Sequence, residues 1–547
     1  MKREFYFLVL FIFCFSVSSQ EEDAWLYLRD KENVESALTN PITILTQKAI
    51  DRKSKHGVSI DSRDVPVNES YIALIKNATG ITVKAKSKWF NALHIRATKI
   101  NIDNLLSNPA FSFIDRIDFA DKGLNLKKSS TAKSKAINHK FRLENTSVNF
   151  NYGDTQNQVE MIQVDELHHE GFTGEGVTIA VLDASFKNVN TLGAFQRMRD
   201  EGDLLGGYDF VDRTNEIYNY DPTPANISHG TQVLSTMAGF LLNSYVGTAP
   251  DASYYLFRTE DDNDENPVEE SYWVEAAERA DSLGVDLINT SLGYKGYGPN
   301  YPRYSYSNSD MDGITAFISK GANIAFEKGL LLVVSAGNSA DLGVGAPADS
   351  PNVLSIGAVN SAGAYANFSS VGSAIQPSQK PDVTARGEQP FLIDLNNNIV
   401  QNNGTSFSGP IIAGGIACLM QALPNKTNAE IMKLVRESGS QYDSPDYQLG
   451  YGIPNLFQAL EQGLSTPDYS GNEFKIYPNP VVSKLFVEIP VSLKEVSFHL
   501  YNVLGELIID SVKRDDFSIN IEHLHNGIYI VRCHGEGYVE SHKLIKK

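Results

Sequence analysis

Two kinds of segment alternate through the middle of this chain: VDLINTSLG, ending at Gly293, then GITAFISKGANIAFEKG, then LLVVSAGN, ending at Asn338. The first and third are short, continuous apolar runs closed by small residues, the pattern of strands buried on both faces, and the segment between them is helix-like. Strands separated by a helix pair in parallel, because a hairpin turn cannot join them. The expected fold is therefore α/β: a three-layer domain built on a mostly parallel sheet. Side chains that do chemistry in such a domain gather at the carboxyl ends of the strands.

Four segments place reactive groups where that rule puts them. Val177 to Leu182 reads as a buried strand that delivers Asp183 at its exit. In NISHGTQVLSTMAGF, His229 follows the capping candidates Asn226 and Ser228, and it leads into a helix whose Gly230, Ala238 and Gly239 permit tight packing. LLVVSAGN ends at Asn338, whose side-chain amide can donate to an oxyanion. NGTSFSGPIIAGGIACLM, Asn403 to Met420, seats Ser406 where a Gly-led turn meets a small-residue helix, so unpaired N–H groups face charge developing beside it. Gly404, Ser408 and Gly409 let a peptide backbone come close, and Pro410 suits a first helical turn. Each residue alone has an ordinary reading, as loop cap, helix-start histidine, turn asparagine or N-cap. None of those readings predicts the other three.

Read together, VLDASF, SHGTQVLSTMAG, INTSLG, SAGN and NGTSFSGP, in that order, resemble the motifs of the subtilisin-like serine peptidases from Gly171 to Leu460. The resemblance implies a catalytic triad of Asp183, His229 and Ser406, with Asn338 as the oxyanion donor. It also implies that Ser291, Leu292 and Gly293 pair with an extended substrate and form one wall of the specificity pocket. Ser335, Ala336 and Gly337 are the opposing wall, and Gly345 is the small residue at the floor. Two departures stand out. Asp183 is followed by Ala-Ser where the family more often has a glycine in the exit turn, and Tyr294 stands where many relatives carry a second glycine. The implied function is a serine endopeptidase working through an acyl-enzyme, with no cofactor in the chemistry. A peptide ligase or cyclase would use the same acyl-enzyme. A catalytically silent binding scaffold would be expected to lack one of the four groups, and none is missing.

The flanks have a different texture. Lys2 and Arg3, an apolar run from Phe5 to Phe15, and Ser16, Ser18 and Ser19 read as a signal peptide over residues 1–19. No later stretch has the ~20 apolar residues of a membrane helix, so no permanent membrane span is expected. Residues 20–150 read as a small α+β propeptide-like domain with strand-like YIALIKNATGITVKA and LHIRATKI, a candidate helix IDNLLSNPA and a linker LKKSSTAKSK. An accessory domain that stays attached is the other reading of this region. The peptidase domain spans 151–462, and a polar linker spans 463–473. From 474 to 547 alternating segments separated by turn residues read as a small β-sandwich. Its YPNP, NVLGEL, NGIYIVR and terminal KLIKK resemble the sorting domains of type IX secretion. That resemblance implies Sec export, passage across the outer membrane and a secreted or cell-surface protein. The expected partners are peptide or protein substrates, the secretion machinery, and the chain's own propeptide as an intramolecular inhibitor.

Of three cysteines, Cys14 leaves with the signal, and Cys418 and Cys533 fall in apolar patterns of different domains, so both read as packing residues. The net charge of −19 argues against nucleic acid as a partner. TEDDNDENPVEE, Thr259 to Glu270, is either a structural calcium loop or a solvated charge run, and it lacks EF-hand spacing. The tyrosine-rich YKGYGPNYPRYSYS either lines the cleft or covers the sheet edge.

Overall fold

A computed structural model of the chain describes residues 20–125, 148–219, 227–261, 264–464, 475–488, 496–502, 506–510, 518–535 and 538–547. The leader, the LKKSSTAKSK linker, the STPDYSGNE connector, the centre of NVLGEL and Asn226 lie outside these residues. The chain divides into two units, Met1–Leu464 and Ser465–Lys547.

The first unit begins with a four-stranded antiparallel sheet of β1 (Glu21–Leu28), β2 (Thr82–Ser87), β3 (Ala92–Thr98) and β4 (Ile114–Phe119), in the order β2-β3-β1-β4. Helices α1 (Gln47–Lys55), α2 (Glu69–Lys76) and α3 (Lys99–Ser107) accompany it. YIALIK, expected as a strand, belongs to α2. Asn68 caps the helix by accepting from the Ser70 and Tyr71 N–H groups at 2.9 and 3.2 Å, and Ile72 and Ile75, three apart, point into the core with Leu26, Leu93, Ile95 and Leu105. A local cap and an i, i+3 apolar pair outweighed the β-branched composition.

The larger part is a seven-stranded, wholly parallel sheet. Its strands are β5 (Thr178–Asp183), β6 (Leu204–Asp209), β7 (Ser253–Arg258), β8 (Leu287–Thr290), β9 (Leu331–Ser335), β10 (Leu354–Val359) and β11 (Val383–Arg386), in the order β11-β10-β9-β8-β5-β7-β6. Helices α4 (His229–Ala238), α5 (Val268–Leu283), α6 (Phe317–Glu327), α7 (Thr405–Ala422), α8 (Asn428–Glu437) and α9 (Leu456–Leu464) complete the three layers. Two apolar clusters divide between the sheet's faces. Ile179, Val181, Leu256, Val333 and Ile356 pack with α4 and α7, and Ala180, Leu182, Ile288, Leu332 and Val334 pack with α5 and α6. Successive residues of one strand thus serve opposite layers, which is why these runs are apolar throughout.

Helix α7 is buried from Thr405 to Leu419. It lies close to its neighbours because its inward positions are small: a Cβ on Gly409 would come 2.8 Å from Ser335 Oγ, and one on Gly414 only 2.0 Å from Thr248 Oγ1. Below the sheet's edge Asp382 ties three elements together. It accepts from Ser355 N–H at 2.7 Å, Lys380 Nζ at 2.8 Å and Arg436 Nε at 2.7 Å, with Lys380 itself fully buried.

The second unit pairs strands Lys475–Tyr477, Lys484–Glu488 and Ser518–Asn520 in one sheet, and Val496–Asn502, Leu507–Ile509, Gly527–Gly535 and Tyr538–Lys546 in another. Leu485, Val487, Phe498, Leu500, Val531 and Leu544 fill the space between them. Cys418 and Cys533 are thiols, not disulfide-bonded, buried in the cores of their domains.

Replacing Asp382 by Ala would leave the Lys380 ammonium in the core without its carboxylate. The expected cost is about 3 to 5 kcal/mol, read as a lower urea midpoint of the peptidase-domain transition. A change under about 1 kcal/mol, the scale of a surface pair, would show that this ion cluster does not hold the three elements.

Candidate active site

The carboxyl end of β5 presents Asp183, completely buried, and its neighbour β7 runs on into Thr259, whose N–H donates to the Asp183 carbonyl at 3.1 Å. The exit turn needs no glycine. Ala184 keeps a negative φ and donates its N–H to Asp183 Oδ1 at 2.8 Å, so the first sequence departure leaves the carboxylate anchored. The same oxygen accepts from His229 Nδ1 at 2.7 Å, which places the imidazole proton on Nδ1. His229 is about a quarter exposed, whereas the aspartate is wholly enclosed. The approach is close because the residue after the histidine is glycine: a Cβ on Gly230 would lie 2.3 Å from the Ser185 carbonyl oxygen and 3.1 Å from Asp183 Oδ1. Ser228, expected to cap α4, makes no side-chain cap there.

Ser406 is the second residue of α7, and the ring of Phe407 lies 6.0 Å from the imidazole. Pro410, expected in the first turn, stands instead inside the helix. Having no N–H, it leaves the carbonyl of Ser406, four residues back, without its helical donor. That carbonyl accepts from Ser291 Oγ at 2.9 Å, and Ser406 Oγ lies 3.4 Å from the Ser291 carbonyl. The loop after β8 and the start of α7 are thereby stitched together.

Thr405 performs a task the sequence reading missed. Its N–H and hydroxyl both donate to Asn338 Oδ1, at 2.8 and 3.0 Å, so Asn338 Nδ2 is the end left to donate beside the helix start. Ser335 Oγ in turn holds the Thr405 carbonyl at 2.8 Å, and Gly337 N–H donates to Thr405 Oγ1 at 3.1 Å. Only the Thr in GTS hinted at this. Asn338 is exposed, Ser335 and Ala336 are buried, and Gly337 is half-buried. In the loop after β8, Ser291 is buried, Leu292 half-buried and Gly293 exposed.

Tyr294 and Ala346 exchange two backbone hydrogen bonds, 2.7 and 2.9 Å, which set Gly345 beside the Ser291–Gly293 segment. The Tyr294 ring is buried and donates its hydroxyl to Glu260, so this second departure couples the tyrosine-rich loop to the acidic run. The coupling repeats. Tyr297 and Tyr306 donate to Glu270, which also accepts from Ile318 N–H at 2.9 Å, and Tyr301 donates to Asp264 at 3.1 Å. Burial pushes the Glu270 carboxyl up from its ordinary range. The acidic run is therefore partly internal, and the tyrosines cover it rather than the sheet edge. Among the described residues no group of three or more His, Cys, Asp or Glu is placed to hold a metal ion.

Residues 174–452 match the subtilase family, residues 23–138 the peptidase S8 propeptide domain of Bacteroidota, and residues 475–547 a secretion system C-terminal sorting domain. Subtilisin NAT of Bacillus subtilis subsp. natto is 30% identical over 309 residues, covering 55% of this chain and 70% of that protein. Subtilisin of Bacillus pumilus is also 30% identical, covering 55% of this chain and 98% of that protein. The crystal structure of MycP1 from Mycobacterium smegmatis aligns over 59% of this chain and 89% of its own, at 23% identity and a TM-score of 0.43. The sorting domain marks an exported protein, and no helix among the described residues is long and apolar enough to cross a membrane. With half its length matched to the family model, the chain belongs to the subtilase family of serine peptidases.

Proposed function

We propose that the chain is a secreted serine endopeptidase in which Asp183, His229 and Ser406 act as the triad. The observation that carries this reading is the 2.7 Å bond from His229 to the buried Asp183, beside the helix start that holds Ser406. As the Ser406 oxygen attacks the carbonyl carbon of the scissile peptide, its proton passes to His229 Nε2. Asp183 keeps the imidazole oriented and stabilises the imidazolium without taking the proton. The oxyanion is held by the Ser406 N–H and Asn338 Nδ2. When the carbon–nitrogen bond breaks, His229 returns the proton to the leaving amine. Water then adds to the acyl-enzyme by the same route, and no cofactor takes part.

An extended substrate would lie along Ser291 to Gly293, with the side chain before the cut between that segment and Ser335 to Gly337, over Gly345. The N-terminal domain acts as the inhibitor of the immature enzyme. Its removal falls upstream of Phe150, because Tyr152 is buried in the peptidase core and Thr155, also buried, donates to the Val246 carbonyl at 2.8 Å. Export runs through the signal peptide to the type IX machinery, which removes the C-terminal tail at the outer membrane.

The reading is tested by labelling the activated protein with a fluorophosphonate and comparing Ser406→Ala, which is expected to take no label. Label that persists in the variant identifies another nucleophile and ends the proposal. Turnover separates the roles further. Ser406→Ala is expected to lose about 10⁶ and Asn338→Ala about 10² to 10³ in kcat, ranges known from subtilisin itself, and equal losses would overturn the division between nucleophile and oxyanion donor. Gly230→Ala must displace the His229 backbone from the Ser185 carbonyl. A misplacement of this kind costs about 100-fold in kcat, with little effect on KM, so unchanged kcat would show that the close approach does not set the imidazole.

A further inference from the structure

The cleft opens at the carboxyl ends of the parallel strands, yet the N-terminal domain also grips the opposite end. Its sheet packs on α5 and α6, where Trp25 stacks on Phe317 with ring centroids 4.5 Å apart and donates to Ser271 Oγ at 2.9 Å. Between β1 and α2 the chain makes a detour that carries α1 to the far end of α5. There Lys53, with a wholly buried side chain, places Nζ 2.7 Å from Asp281 Oδ1 and 3.3 Å from Asp64 Oδ1. Arg52, almost as enclosed, donates to the same Asp281, to the Val285 carbonyl, and at 3.3 Å to the Lys328 carbonyl. The exchange runs both ways. Lys328, directly after α6 and 1% exposed, crosses to the N-terminal domain and meets Asp61 at 2.9 Å and Asp64 at 2.7 Å. Although burial pushes the Asp281 carboxyl up, the Arg52 and Lys53 cations hold it below the usual carboxylate range.

The N-terminal domain thus lends Arg52 and Lys53 to Asp281 and receives Lys328 on Asp61 and Asp64, and of these side chains only Asp61, about a third exposed, meets water. Exposed ion pairs exchange freely with solvent and hold little. An enclosed, hydrogen-bonded set must open together, and such contacts act chiefly on the rate of departure. We propose that this reciprocal ion lock is a second anchor, remote from the cleft, that keeps the N-terminal domain on the peptidase domain after the chain between them has been cut. Two footprints on one rigid domain make rebinding of either effectively intramolecular. The proposal rests on the N-terminal domain being the inhibitor.

The test needs no peptidase activity. In the full chain carrying Ser406→Ala, a recognition sequence for a site-specific protease is inserted after Lys128, the chain is cut there, and separation of the N-terminal domain is followed by gel filtration. In the otherwise unaltered lock the cut domain is expected to co-elute with the rest. With Asp281→Asn, or with Lys53→Met, it is expected to leave about a hundred-fold faster. Glu327→Ala, which removes only the half-exposed pair with Arg63, should change the rate by no more than about three-fold. Immediate separation of the unaltered chain, or equal rates with and without Asp281→Asn, overturns the proposal. Should Asp281→Asn fail to fold, Lys53→Met, on the departing domain, decides the matter alone. Restoring Ser406 distinguishes the two readings: activity that rises before the domain separates refutes the inhibitor and leaves the anchor standing.

Discussion

How closely one helix can approach one sheet governs this molecule. Helix α7 runs beneath four strands with its first fifteen residues buried, and it does so on glycines whose neighbours leave no room for a methyl group. Close-packed interiors transmit such constraints, since a helix displaced by the width of a side chain would carry its first turn with it. The position of Ser406 is therefore a property of the packing at Gly409 and Gly414 as much as of its own loop. The same economy of volume brings α4 against β5 at Gly230. Two helix starts, each set by a glycine, converge on the exits of two strands.

Hydrogen bonds then convert proximity into orientation. Pro410 breaks one rung of α7, and the freed carbonyl is taken by Ser291, so the helix that carries Ser406 is tied to the loop after β8. Thr405 occupies both lone-pair sites of Asn338 Oδ1 and leaves its amide hydrogens to the cleft. Such bonds hold donors in place before charge develops, which is where electrostatic catalysis has its leverage. The carboxylate partners of Tyr294, Tyr297 and Tyr306 continue the bonding away from the cleft.

Much of this was legible from residue order alone. Continuous apolar runs ending in Asp183 and Asn338 could be read as parallel strands because both faces of such strands are covered, and a small-residue helix behind Ser406 could be read because nothing else explains so many glycines in an apolar stretch. What escaped the reading depended on distant or competing contacts. YIALIK looked like a strand by composition, and Asn68 together with the Ile72 and Ile75 pair made it a helix. Ser228 looked like a cap, yet α4 starts without one. The carboxylates of the acidic run looked solvated until tyrosines some 30 residues downstream were folded over them. The role of Thr405 required knowing that Asn338 lay within reach, and sequence spacing carries no such distance. The ion exchange between Lys53, Asp281 and Lys328 likewise joins residues from opposite parts of the chain.

The four groups at the cleft come from residues 183, 229, 338 and 406, distributed over most of the peptidase domain. No short fragment holds even the aspartate and the serine together, and contacts between residues so far apart form late, after long loops have closed. A chain still emerging, or one stalled with a strand unpaired, carries Ser406 without His229 beside it. Timing is thus written into the topology: serine, imidazole and carboxylate come together only with the completed sheet, and every unfinished copy lacks the assembled site.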